Sequence, residues 1–509
     1  MFAKSFGAET LGVDGHIVDV EADVAQGFPC FEIVGLIAGA VKEAKERVRT
    51  AIKNSRVPLK PKRVTINLAP ADLRKESPGL DLPIAMALLA AYGIVPLEAL
   101  ERTLFAAELS LEGDLRPTRG VLPMAVAAKA QGMTTLFVAP ANVAEALLVE
   151  DLQIFAPQTL EELLAHVQGT QILSPAHKEE IQAEAVPLGQ QEDFADVQGQ
   201  FLAKRALEIA AAGGHNVLMV GAPGSGKTML ARRMRSILPP LTKEEALEVT
   251  KIYSIAGLLK SGTGLIRERP FRSPHHTAST VSVVGGGTVP SPGEVTLGHN
   301  GILFLDELPE FRKSTLEVLR QPMEDGEVCI ARAHATLTFP SRMILICAMN
   351  PCPCGWQGDK ERVCSCNQRE IRKYTHKISG PLLDRIDIHV RVPRVTYQEL
   401  TETGKGEPSA HIRARVIAAR AKQTARLASW GLHYNAQMGH RALMATCPLG
   451  KEARQLLARA FQAMKMSARS HDRIVKVART IADLAGVKEI EAQHIAEAIQ
   501  LRNDMVLKE

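Results

Sequence analysis

Residues 216–228, NVLMVGAPGSGKT, constrain the fold of this chain more than any other stretch. Val217 to Val220 is a short apolar run of the kind a buried parallel strand requires. It leads into Gly221, Ala222, Pro223, Gly224, Ser225, Gly226, Lys227 and Thr228, which fit G-x-x-x-x-G-K-[ST], and MLARRMRSIL after them reads as a helix. Strand, glycine-rich loop and helix in that order make a phosphate cradle. The glycines let backbone N–H groups converge on a β-phosphate at the positive end of the helix. Lys227 would neutralise the β/γ oxygens, and Thr228 would hold Mg²⁺ through its hydroxyl. The stretch therefore predicts an ATPase core that binds ATP with Mg²⁺ on a parallel sheet flanked by helices.

Two further apolar runs fit the same sheet. Gly301-Ile302-Leu303-Phe304-Leu305 feeds Asp306 and Glu307, so two carboxylates arrive at the C-terminal end of a strand, where parallel sheets place their sites. Asp306 would bind Mg²⁺, directly or through water, and Glu307 would polarise the attacking water. Residues 343–350, MILICAMN, form another such strand and end in a single amide, Asn350, which would orient that water. At 380–387, GPLLDRID sets a lone Arg385 after an apolar pair. A structural salt bridge is one role for it, and a catalytic role in a neighbouring subunit is the other.

With 509 residues the chain predicts roughly three to four domains. Its 46% hydrophobic and 23% charged content is that of a soluble globular protein, and the longest apolar stretch, 84–95, is too short to span a bilayer. MFAKSFGAETLG carries no signal-type apolar segment, and a cytoplasmic location is expected. A net charge of +5 is compatible with a nucleic-acid partner, while 4% aromatics argue against grip by base stacking. Residues 1–170 alternate short strands (16–24, 30–36, 63–70) with helices (40–53, 82–92, 124–130), which predicts an α+β domain. A Pro/Gln/Glu-rich passage at 171–193 reads as a linker, 194–400 as the ATPase core and 401–509 as a helical domain. In the last, a helix from His411 would present Arg413, Arg415, Arg420, Lys422 and Arg426, either to solvent or to DNA.

Half of the eight cysteines stand in one cluster, Cys352-Pro353-Cys354 and Cys364-Ser365-Cys366, with nine residues between the pairs. Four thiols on two knuckles can surround one tetrahedral Zn²⁺, although the spacing is tighter than the usual C-x₂₋₄-C. The charged loop WQGDKERV between them offers no apolar core that would bury the thiols instead. Four reduced surface thiols are the alternative.

Together these motifs resemble the Mg-chelatase-like branch of AAA+ ATPases, and specifically the ComM/YifB family. The resemblance extends from the front of the chain through GAPGSGKT, the long segment 271–311 and NPCPCG. It implies that Asn350 is the sensor 1 residue, Arg385 the arginine finger and Arg469 the sensor 2 residue, with Arg473 one turn beyond. It further implies a ring, expected to be a hexamer, and a C-terminal helical lid. The implied activity is a DNA motor that drives branch migration in recombination and natural transformation, on single-stranded or branched DNA. A chelatase-type protein-remodelling ATPase without DNA activity is the rival reading.

The front of the chain resembles the Lon-protease-like domain at 74–81 and 108–122. The family's Ser position falls on Gly79 and its Lys position on Leu122, so the nucleophile and the amine that would activate it are both missing.

Overall fold

The computed structural model describes residues 1–177, 192–260, 262–287, 290–331, 336–359, 361–397, 399, 406–464 and 466–502. Most of the linker expected at 171–193 lies outside the described residues. The chain divides into two compact units. The first is Met1–Pro187 with Lys243–Ile266 and Ala331–Thr338, and the second is Leu188–Thr242 with Arg267–Ile330 and Phe339–Glu509.

The first unit is built on strands β1 (Phe2–Leu11), β2 (Asp14–Ala25), β3 (Cys30–Val34), β4 (Arg63–Ala69), β5 (Thr103–Ala106), β6 (Thr135–Val138) and β7 (Gln153–Phe155). They form one mixed sheet in the order β3-β4-β2-β1-β5-β6-β7, with β1–β2 and β2–β4 antiparallel. Helices α1 (Ala44–Asn54), α2 (Asp81–Ala91) and α3 (Val121–Ala130) accompany it. Strand β1 is absent from the sequence reading because small residues, not large apolar ones, carry its alternation. Ala3, Ser5 and Gly7 are buried, and Ser5 donates to the Pro83 carbonyl at 2.7 Å, so α2 can lie close on the strand. Helix α2 is buried on every side, as its unbroken apolar composition requires.

Glu9 on β1 is 5% exposed and accepts the N–H groups of Glu76 and Ser77, each at 3.0 Å. Burial raises its pKa from 4.5 to about 7, despite those donors.

In the second unit, β8 (Val217–Val220), β9 (Phe271–Arg272), β10 (Ile302–Leu305), β11 (Ile344–Met349) and β12 (Ile388–Arg391) form a five-stranded sheet in the order β9-β10-β11-β8-β12. Every pairing is parallel. Alternate residues feed two separate cores. Val217, Met219, Phe304, Ile346 and Val390 face one core, while Leu218, Val220, Leu305, Cys347 and Met349 face the other. Burial on both faces explains why these strands read as continuous apolar runs.

Helices α4 (Phe201–Gly213) and α5 (Lys227–Ile237) cover the first of those faces. The C-terminal helices α8 (Ser409–Leu427), α9 (Ala468–Ala485) and α10 (Ala492–Gln500) continue the same core. This packing gives the basic stripe on α8 partners within the unit. Arg415 pairs with Glu208 and Glu407, and Arg420 bonds the Ala211 carbonyl and lies over the Tyr434 ring. Lys422 reaches the Asp483 carbonyl, and Arg426 pairs with Asp483. Four of the five cations thus have partners inside the unit, while Arg415 and Lys422 remain exposed to solvent.

The raised pKa of Glu9 has a thermodynamic consequence in the first unit. Its folded-state value lies above the unfolded one, so stability is greatest below about pH 4.5 and falls as pH rises to about 7. The loss is about 3 kcal/mol. Denaturant unfolding of Glu9→Gln against the unsubstituted chain is expected to give a stability difference that grows over that window and favours the variant at pH 8. A difference that is flat with pH contradicts the assignment.

Candidate nucleotide site

The sheet register brings the sequence-predicted residues to one edge. Val220 pairs with Met349 on one side and Arg391 on the other, and Leu305 stands opposite Cys347. The loop after β8, the acids after β10 and the amide after β11 therefore leave the sheet together, at the C-terminal ends where α/β crevices form.

Gly224 and Gly226 take φ of +75° and +83°, left-handed values that turn the loop tightly into α5. Lys227 is buried, and its Nζ donates to the carbonyls of Gly221 at 2.7 Å and Ala222 at 3.0 Å, and to Asn350 Oδ1 at 3.2 Å. Desolvation lowers its pKa, and Asp306 and Glu307 oppose that shift. Thr228 Oγ1 donates to Asp306 Oδ2 at 2.7 Å. Glu307 is exposed, holds a left-handed φ of +51°, and donates its N–H to Asp306 Oδ1 at 2.9 Å. A hydroxyl, a carboxylate and an ammonium on one strand edge form the donor set for Mg²⁺ and a polyphosphate.

Three neighbours complete the surroundings of this site, and of these the sequence singles out the His275–His276 pair, with a hydrogen-bonding or DNA-contacting role expected. His276 Nδ1 stands 3.5 Å from Glu307 Oε2, with the His275 ring 4.1 Å from its own. The Gln200 amide donates to Ser225 O at 2.6 Å and to Pro393 O at 3.2 Å, bracing the phosphate loop from the start of α4. Tyr374, on α7 (Gln368–Thr375), is buried, with its hydroxyl near the backbone of Asn350. The paired histidines were visible in the sequence. The other two depend on loop paths that no local pattern encodes.

Arg385 and Arg469 are not at this edge. The residues just before β12 meet the start of β8, since Asp387 and Ile388 both donate to the Asn216 carbonyl, at 3.1 and 3.0 Å. Arg385 thus sits at the strand-entry edge, about 13 Å of four-residue strand away from its own phosphate loop. There it pairs with Glu324 and donates to the Pro381 carbonyl at 2.7 Å, with its Nε buried and unpartnered. Arg385 holds the Glu324 carboxyl below its usual range, and Arg469 and Arg473 add to the effect. Arg385 contacts this carboxylate, and the other two arginines act on it through their field. Arg469 is exposed, whereas Arg473 pairs with Asp387 at 3.0 Å. Asp387 also meets His215 Nδ1 at 3.2 Å, and His215 Nε2 meets Thr480 Oγ1 at 2.8 Å. Burial opposes ionisation of Asp387, but His215 and Arg473 overcome it and hold the carboxyl well below the ordinary range.

The four clustered thiols lie within 4.8 Å of one another, with Sγ separations of 3.4 Å (352–354), 3.6 Å (352–364) and 3.6 Å (354–364). A zinc with four sulfurs at 2.3 Å has edges of about 3.8 Å, so the set fits that ion. Against a desolvation cost, the backbone N–H groups of Trp356 and Ser365 bring Cys354 down to about 5, while burial and the neighbouring thiols push Cys366 up to about 12, so the thiols do not ionise alike.

Known proteins place this architecture. Residues 193–400 match the family described as magnesium chelatase, subunit ChlI, 20–142 match subunit ChlI of Mg-chelatase, and 406–502 match the ChlI C-terminal family. Competence protein ComM of Haemophilus influenzae is 42% identical over 499 residues, covering 97% of this chain and 96% of that protein. The chain belongs to the ComM/YifB family of Mg-chelatase-like proteins. YifB of Salmonella typhimurium is likewise 42% identical, over 97% of this chain and 95% of its own length. A magnesium-chelatase 67 kDa subunit of Chlorobaculum parvum is 28% identical over 31% of this chain and 23% of its own. Membership of this AAA+ family implies an ATPase that uses ATP and Mg²⁺. Among the described residues no helix is long and apolar enough to cross a membrane.

Replacing Asp387 by Asn leaves Arg473 and His215 without their countercharge in a buried setting. Chemical denaturation is expected to show a loss of about 3 kcal/mol. A loss below about 1 kcal/mol would mean the network carries no net stability.

Proposed function

We propose that this protein is a ring-forming, Mg²⁺-dependent ATPase that moves DNA, acting in branch migration during recombination and natural transformation. The observation that carries the ring is the placement of Arg385 and Arg469 at the strand-entry edge, remote from the chain's own phosphate loop. Each would complete the ATP site of the next subunit, Arg385 as arginine finger and Arg469 in the sensor 2 role, so both act in trans. A hexamer is the ring size this reading expects. DNA as the partner is supported by the competence relative, which matches over nearly the full length of both chains.

Within one site, Lys227 and the loop 221–228 hold the phosphates, and Thr228 and Asp306 hold Mg²⁺. Glu307 polarises the attacking water and Asn350 orients it. Glu307 is exposed at the crevice while Asp306 faces Thr228, which suits this division between base and metal ligand. Cys352, Cys354, Cys364 and Cys366 hold a structural Zn²⁺.

The C-terminal helices act as the lid, and residues 1–170 are a Lon-protease-like scaffold without peptidase activity. At the two dyad positions, a Cβ on residue 79 would fall 2.8 Å from Thr118 Oγ1, and the fully buried Leu122 donates its N–H to Glu145 Oε2 at 3.2 Å. Both positions are thus filled by packing and hydrogen bonds. The protein is read as cytoplasmic.

ATP turnover by the purified chain, measured with and without single-stranded and forked DNA, tests the motor. Stimulation by DNA that disappears in Glu307→Gln is expected, and turnover indifferent to every DNA would favour the protein-remodelling reading. Mixing tests the trans geometry. Arg385→Ala retains an intact phosphate loop and Lys227→Ala an intact arginine, so each is expected to be inactive alone and a mixture to recover turnover. Failure of the mixture to exceed the separate variants argues against a shared site.

A further inference from the structure

The thiol cluster is packed directly against the nucleotide site. Cys352, fully buried, follows Asn350 by two residues. Gly355, in the loop between the knuckles, holds φ +85° and approaches the phosphate loop so closely that a Cβ on it would fall 2.5 Å from Pro223 Cδ. The Tyr374 hydroxyl also lies near the backbone of Asn350. The same inter-knuckle loop is fastened to the exit of β12 by Trp356, whose ring lies between the guanidinium groups of Arg362 at 4.5 Å and Arg394 at 4.3 Å. Arg394 also stands 3.7 Å from both Asp359 and Glu361. Its neighbour Pro393 is joined to the phosphate loop through the Gln200 amide.

We propose that a zinc ion on Cys352, Cys354, Cys364 and Cys366 sets the positions of Asn350 and the phosphate loop, so that ATP turnover depends on occupancy of the thiol site. This rests on the structural-zinc reading above and adds a function to it. The segment 352–366 is short, polar and charged, and it has little apolar surface with which to hold a fold of its own. Four metal–sulfur bonds supply that order. When they are lost, Gly355 withdraws from Pro223, and Asn350 loses the anchor two residues away. A displacement of about 1 Å at groups that hold phosphate and water costs about a hundredfold in rate, so a small relaxation is enough to stop turnover.

The test uses the full chain carrying Trp430→Phe, which leaves Trp356 as the reporter. Zinc per chain is measured first by elemental analysis. The metal is then removed with a chelator, Mg²⁺ is restored in excess, and zinc is finally returned. Four signals are followed: Trp356 emission, far-ultraviolet circular dichroism, the affinity for a fluorescent ATP analogue, and ATP turnover. The expected result is one zinc per chain. Its removal should shift Trp356 emission, weaken the analogue severalfold and lower turnover about tenfold or more, with helical signal unchanged and all three effects reversed by zinc. Zinc that is present, with turnover and affinity unaltered by its removal, overturns the coupling and leaves the structural-zinc reading standing. A protein that neither contains nor takes up zinc removes that reading and the coupling with it. Loss of the helical signal on chelation also overturns the coupling, since zinc would then be a general stabiliser of the unit.

Discussion

Val220 pairs with Met349 on one side and Arg391 on the other, and this register of β8 determines what the second unit can do. It sends the phosphate loop, Asn350 and the Pro393–Arg394 turn off the same edge of the sheet, while Asp306 and Glu307 follow from β10. It also assigns Arg385 and Asp387 to the opposite edge. Strand direction therefore partitions the charges. Asp306, Glu307 and the Lys227 ammonium are at one end, and Arg385 with its partner Glu324 is at the other. A one-residue slip in β8 would exchange the two cores as well as misplace the loop, because alternate residues face different layers.

The parts of this arrangement legible in the sequence are those with a local cause. An apolar run followed by a glycine-rich loop, or by two acids, is a strand delivering polar groups to its end, and 217–228, 302–307 and 344–350 could be placed on that ground alone. The parts that were not legible are long-range. The contact of Gln200 with Ser225 joins residues 25 apart, that of Tyr374 with Asn350 joins residues 24 apart, and His215 and Asp387 are separated by 172. Strand β1 escaped for a different reason. Its buried positions are Ala, Ser, Gly and Glu9, none of them large and apolar, so a pattern based on large apolar residues passes over it. The partners of the stripe on α8 were not legible either, because charge alone does not say whether a partner exists. Glu208 and Asp483 come from distant segments, and Glu407 stands just before the helix.

A buried carboxyl shifts up or down according to how far its partners offset desolvation. Glu9 receives backbone N–H groups but no cation close enough to offset desolvation, and its pKa rises. Asp387 is enclosed to a similar degree, yet His215 and Arg473 drive it down. A countercharge does not settle the sign by itself: Asp81, paired with Arg47 at 2.7 Å, is still raised to about 6 by burial, so the balance of the two decides. Glu9 thus costs the fold stability at neutral pH, while Asp387 is a tie between the strand-entry edge and α9.

That tie bears on how the two edges would work together. Asp387 is two residues from Arg385, and Arg473, its partner, is one helical turn from Arg469. The segment is held from a third side by Arg502, which donates to the Ile386 carbonyl at 2.7 Å. Arg385 and the first turn of α9 are therefore parts of one braced body rather than independent side chains. On the proposed ring reading, a neighbour's γ-phosphate that draws on Arg385 draws on the C-terminal helices as well, through charged contacts too buried to yield separately. The strand-exit edge is braced by different means, with Gln200, Gly355 and Tyr374 converging on the phosphate loop and Asn350. Each edge is rigid in itself. What remains adjustable is the distance between one chain's exit edge and the next chain's entry edge, and that is where ATP would sit.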